Sequence, residues 1–85
     1  VLNDRCWVCG TDKGLQCHHI FGKYNRRHST EDGLMVWLCM EHHTGRMGVH
    51  QNRELMDELR RYGQTIYERE HTREEFMQRY GKNYL

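Results

Sequence analysis

Leu15, Cys17, His19 and Phe21 fall on one side of a period-two alternation, which predicts a strand over 15–21. Gly22 to Thr30 is polar and basic and has no period, so it reads as a loop. Leu34-Met-Val-Trp-Leu38 is a continuous apolar run rich in strand formers and predicts a second strand leading directly into Cys39. Residues 41–50 should begin the helical part, but Gly45 and Gly48 interrupt it. From there the spacing lengthens. Leu55, Leu59, Tyr62 and Ile66 recur at one helical face, with Asn52 as N-cap, Asp57 and Arg61 as a solvent-side i,i+4 pair, and Gly63 as a weak point. Thr72-Arg-Glu-Glu75 has the form of a capping box. It announces a last helix with Phe76, Met77 and Tyr80 inward and Gly81 as its stop. The head, residues 1–14, reads as irregular, with turn chemistry at Asp12-Lys13-Gly14.

These elements suit one α+β domain spanning 1–85, with a core over 6–50 and C-terminal helices over 51–85. Mean hydropathy is −1.03 and 36% of residues are hydrophobic. A chain of this size buries a modest share of its surface, and small domains with thin cores usually add disulfides or a structural metal. The cysteines decide between them. Cys6-x-x-Cys9 and Cys39-x-x-His42 have zinc spacing, and Cys17 is left over as a packed free thiol. An unpaired thiol fits a reduced compartment better than export. With no apolar leader or transmembrane stretch in the sequence, the expectation is a cytoplasmic protein with no membrane partner.

Zinc takes four ligands in a tetrahedron, and thiolate and imidazole both suit it. Cys6 and Cys9 would come from a knuckle in the head, where Gly10 follows the second ligand at a position that often needs φ > 0. Cys39 and His42 would come from the end of the second strand and the start of the helix. The ion would clamp parts of the chain that residues 10–38 separate. Whether His42 or His43 is the fourth ligand stays open. A redox role for Cys6 and Cys9 is disfavoured because no βαβ pattern surrounds them.

Net charge is +1, but its distribution is uneven. No acidic residue lies between Asp12 and Glu31, while His18, His19, Lys23, Arg26, Arg27 and His28 crowd that window. Either an anionic partner would meet the middle of the chain, or the cluster is no more than a solvated basic loop. Hydrolysing a phosphodiester needs a nucleophilic water, charge stabilisation on the phosphate and help for the departing oxygen. Neutral imidazole can take the proton from water, and a divalent cation can polarise the phosphoryl oxygen. On a regular strand the adjacent His18 and His19 would face opposite ways, so both reach one site only near a strand end or with the phosphate between them.

The order Cys6-x-x-Cys9, His18-His19, Cys39-x-x-His42-His43 resembles the HNH endonucleases with their ββα-metal, treble-clef-like fold. The resemblance covers residues 6–50, and the segments HHIFGKYNRR, GLMVWLC and GVH look like the subset common in phage and prophage sequences. It implies a metal-dependent DNA endonuclease leaving 5′-phosphate and 3′-hydroxyl ends. By position, His19 would be the general base, and His18 and His43 would hold the catalytic cation, such as Mg²⁺, Mn²⁺ or Ni²⁺. Cys6, Cys9, Cys39 and His42 would hold structural zinc. Two positions depart from the pattern. His42 stands where the family more often has cysteine, and the family's middle asparagine has no clear match before Cys39. Asn25 is the one asparagine between His19 and Cys39 and takes that place. Lys23, Arg26 and Arg27 read as phosphate contacts, and His50 as either a third cation ligand or polar surface.

Two rivals need less. A non-catalytic treble-clef zinc module binding nucleic acid or protein would use the zinc ligands and the basic residues, but not the three histidines. A zinc-stabilised adaptor would use only the C-terminal helices. Trp7, Trp37 and the Leu55–Ile66 stripe read as core, His28 and His71 as surface, and Tyr24 as either an ordinary loop tyrosine or a ring that stacks on a sugar or base.

Overall fold

Two strands, β1 (Leu15–His19) and β2 (Met35–Cys39), pair antiparallel with His18 opposite Val36 and His19 opposite Met35. The computed structural model describes all 85 residues. Cross-strand partners share a face. Gln16 and His18 therefore stand beside Leu38 and Val36, which are fully buried, while Cys17 and His19 stand with Trp37 and Met35 on the other face. The head covers the free edge of β2: Leu2 N–H donates to Met35 O at 2.8 Å and Trp7 N–H to Trp37 O at 3.0 Å. In the knuckle, Gly10 N–H donates to Cys6 O at 2.9 Å, and Gly10 adopts the expected positive φ of 77°.

The first strand is shorter than its alternation implies. It ends at His19, after which Ile20 and Phe21 both turn inward to 1% and 2% exposure. Cys17, expected to be packed, is exposed. The segment expected to be a loop contains a 3₁₀ turn (Lys23–Asn25) and a helix, α1 (Arg26–Glu31). Local sequence gives α1 little amphipathic period, because it is held by tertiary bonds. The hydroxyl of fully buried Ser29 donates to Leu34 O and accepts from Phe21 N–H at 3.4 Å. His28, expected on the surface, is partly buried and its Nδ1–H donates to Arg79 O at 3.0 Å.

Helix α2 (Met40–His43) is a single turn, followed by irregular chain through 44–52. Helix α3 (Arg53–Tyr67) is capped by Asn52, whose side chain accepts from Leu55 N–H at 3.1 Å. Asp57 pairs with Arg53 and Arg60, at 4.0 and 3.8 Å, rather than with Arg61. Gly63 is a close-packing site and not a flaw: a Cβ there would sit 2.8 Å from Ile20 Cγ2 and 3.0 Å from Phe21 Cε2. Helix α4 (Arg73–Tyr80) begins with the expected capping box and ends at Gly81. Met77 is 44% exposed, while Phe76 and Tyr80 point inward.

Phe21 joins the two halves of the chain. Its ring lies 5.4 Å from Phe76, 4.6 Å from Tyr80 and 5.6 Å from Tyr84, between centroids. Trp7 packs on Tyr62 at 5.5 Å, whereas Trp37 stays half-exposed outside the core cluster. Gln64, fully buried, fastens the C-terminal residues: it donates to Asn83 Oδ1 and accepts from Tyr84 N–H, both at 2.8 Å. A buried amide with its hydrogen bonds made avoids the desolvation cost of an orphaned polar group. No helix is long and apolar enough to cross a membrane.

Candidate functional site

Two clusters of ligand-type side chains meet at α2. In the first, Cys6, Cys9, Cys39 and His42 bring their ligand atoms within 4.8 Å of one another. Cys9 Sγ lies 3.8 Å from Cys39 Sγ, and His42 Nδ1 lies 3.2 Å from Cys39 Sγ and 3.9 Å from Cys6 Sγ. Zinc–sulfur bonds of about 2.3 Å in a tetrahedron put two thiolates about 3.8 Å apart. The Cys₃His cluster could therefore hold a zinc ion. Burial acts to raise the Cys6 thiol, but backbone hydrogen bonds at Cys39, Cys9 and Val8 outweigh it and bring it down to about 6. Burial pushes Cys39 up. The geometry also separates the two neighbouring histidines: His42 belongs to this cluster and His43 does not.

In the second cluster, ligand nitrogens of His18, His43 and His50 also lie within 4.8 Å of one another, and the ring centroids are 5.0–5.3 Å apart. His18 is 5% exposed, and its Nε2 is the one buried side-chain polar atom without a partner. Burial, with His43, His50, His19 and Arg60 nearby, lowers its pKa to about 3, so the ring is neutral at pH 7. His43 is lowered too, by burial and then by His50. Gln16 Oε1 lies 2.7 Å from His43 Nδ1 and, being a carbonyl, accepts that proton, which leaves Nε2 of His43 with its lone pair. Gly48 lets the chain after α2 fold back. A Cβ there would fall 2.5 Å from His43 O, and His50 N–H returns to the same carbonyl at 3.5 Å. That return brings His50 beside His43.

A cleft of about 420 Å³ opens over this cluster, lined by His18, His19, His43 and His50 together with Lys23, Arg26 and Arg60. His19 reaches it because β1 stops there. Its Nε2 lies 2.9 Å from Thr30 Oγ1, and that hydroxyl is also 3.0 Å from Arg26 O. Thr30 has one proton and the Arg26 carbonyl can only accept it. His19 Nε2 therefore donates to Thr30, and Nδ1 carries the free lone pair. Burial, then Arg26, lowers the His19 pKa.

The other expected residues divide. Lys23 and Arg26 line the cleft; Arg27 does not, and pairs with Glu31 at 3.2 Å on the surface. Asn25 also lies outside the cleft lining, and its side-chain amide donates to Tyr80 O at 3.1 Å. It anchors its loop to α4, while the group that holds His19 is Thr30. Arg60, Gln16 and Thr30 were not among the expected site residues. Arg60 lies far along the sequence on an amphipathic helix, and nothing in its local pattern distinguishes it from the solvated arginines around it. The chain matches no family model, no curated protein and no solved structure.

Proposed function

We propose that this protein is a metal-dependent DNA endonuclease of the ββα-metal type, with zinc at the Cys₃His cluster and a catalytic divalent cation at His18, His43 and His50. The observation that carries the reading is the buried, partnerless Nε2 of His18, which stands among two further imidazoles in a cleft shared with His19 and three cationic side chains. A buried polar atom without a partner calls for an explanation, and a neutral imidazole turned toward two others is a ligand set.

The donor set fits a cation: the three rings are within reach of one ion, His18 is neutral at pH 7, and Gln16 orients His43. No acidic side chain lines the cleft, and imidazole suits Ni²⁺ better than Mg²⁺, which prefers oxygen ligands. When bound, the cation supplies polarisation of the phosphoryl oxygen and charge stabilisation for the leaving oxygen. The chain's own residues do the rest. Lys23, Arg26 and Arg60 attract and position the phosphate. His19 Nδ1 takes a proton from water as the water oxygen attacks phosphorus, while Thr30 holds Nε2. The bond from phosphorus to the 3′ oxygen then breaks, that oxygen takes a proton from solvent, and the products carry 5′-phosphate and 3′-hydroxyl ends.

Plasmid DNA incubated with the purified protein and Ni²⁺, Mn²⁺ or Mg²⁺ tests this directly. Nicking is expected with Ni²⁺ or Mn²⁺. General-base assistance is worth about 10²–10⁴ in rate, so His19→Ala should lose at least about 100-fold while keeping its metal content and DNA affinity. Absence of cleavage with all three ions, or an undiminished His19→Ala, would leave a zinc-binding module that recognises nucleic acid or protein without cutting it.

A further inference from the structure

Beside the cleft, Tyr24 is 97% exposed. An aromatic side chain so fully in water gives nothing to the core. The residue before it, Lys23, has φ of 53°, a left-handed conformation that costs a residue with a Cβ and persists only where its surroundings enforce it. The surroundings here do so. Phe21 is locked in the core, Asn25 N–H donates to Gly22 O at 2.9 Å, and the Asn25 side chain donates to Tyr80 O at 3.1 Å. His28 adds a bond to Arg79 O at 3.0 Å. The tyrosine thus stands on a braced turn whose neighbours Lys23 and Arg26 face the cleft.

Resting on the nucleic-acid reading above, we infer that Tyr24 is a stacking platform for an unpaired base next to the phosphate held in the cleft. The preferred substrate is then DNA with single-stranded or unpaired positions and not uniform duplex. Lysine and arginine on either side of the ring supply sequence-independent phosphate contacts, and a tyrosine ring adds the π face. In closed duplex the faces of the bases are covered by their neighbours. A ring carried on a rigid turn reaches one only where a base is unstacked. Backbone bracing matters because a ring held out in advance loses little freedom on binding.

The test uses the full chain carrying His19→Ala, so that substrate stays intact, and a single-stranded oligonucleotide with 2-aminopurine placed at successive positions. Binding should quench the 2-aminopurine at one position, and adding Tyr24→Ala should abolish that quenching and weaken single-strand binding by about 5-fold to 150-fold. Tyr24→Phe should behave as the parent, because stacking needs the ring and not the hydroxyl. Affinity for uniform duplex should hardly change. The salt dependence should be the same in all three proteins, since no charge is removed. If the parent binds single strands and Tyr24→Ala binds them equally well, or if duplex and single-strand affinities fall together, the stacking role is overturned while the nuclease reading stands. If the parent binds no nucleic acid at all, both fall.

Discussion

His18 and His19 are sequence neighbours with opposite environments, and the parity of one strand separates them. His18 lies on the buried face opposite Val36, while His19 lies opposite Met35 at the strand's last position. Burial keeps the first neutral, and the strand end leaves the second accessible to solvent in the cleft. Thr30 is the residue whose role is most open to measurement. Under the proposed nuclease function it fixes the His19 tautomer, and Thr30→Val should lower the cleavage rate by about 10-fold or more, the scale seen for hydrogen-bond partners that orient functional imidazoles. KM should stay unchanged and Thr30→Ser should restore the rate. A Thr30→Val protein with normal kcat would remove the positioning role. Cys17 shows how a residue-level expectation fails: a free thiol is usually packed, yet strand parity sets this one on the exposed face.

At the scale of elements, α3 and α4 brace the end of β1 that borders the cleft. Gly63 lets α3 approach Ile20 and Phe21, both nearly inaccessible to solvent. Gly63→Ala would gain about 1 kcal/mol of helix propensity, but the added methyl meets a stiff, β-branched Ile20, and overpacking costs about 1–3 kcal/mol. The net expectation is a loss of about 1 kcal/mol, a fall in Tm of roughly 4–8 °C; an unchanged or higher Tm would show that the contact yields. Helix α4 supplies a pH prediction. Glu75 is held below the usual carboxylate range, first by the Thr72 N–H it accepts from at 2.8 Å and then by the Thr72 side chain. A group whose folded pKa is depressed contributes stability above its unfolded value, about 4.3. That contribution is lost as pH falls through the folded value. Thermal melts of the parent and Glu75→Ala should therefore differ at neutral pH and converge under acid. A gap that persists unchanged in acid would mean the carboxylate's charge is not what caps α4.

Across the whole molecule, α2 is the strut common to both clusters. Its His42 joins Cys6, Cys9 and Cys39, and the next residue, His43, joins His18 and His50. An ion on the Cys₃His side would thus position the second cluster as well as tie the head to β2. Metal binding of this kind can contribute folding free energy on the order of 10 kcal/mol, comparable with the whole stability of a small domain. Chelation, or Cys9→Ser, should abolish the cooperative thermal transition; a metal-free protein that melts as before would show that the core suffices alone. The sequence by itself determined the two strands, the capped terminal helices, the three cysteines of the first cluster and His18 of the second, because each is written in local spacing or in residues with few alternative roles. It left His42 and His43 interchangeable, and it left His50 as either ligand or surface. It passed over Thr30, Gln16, Arg60 and the helix Arg26–Glu31. Those were decided only by tertiary structure, through hydrogen bonds and close approaches between segments far apart in the chain. Neither residue type nor local period encodes which distant partner a polar side chain will meet.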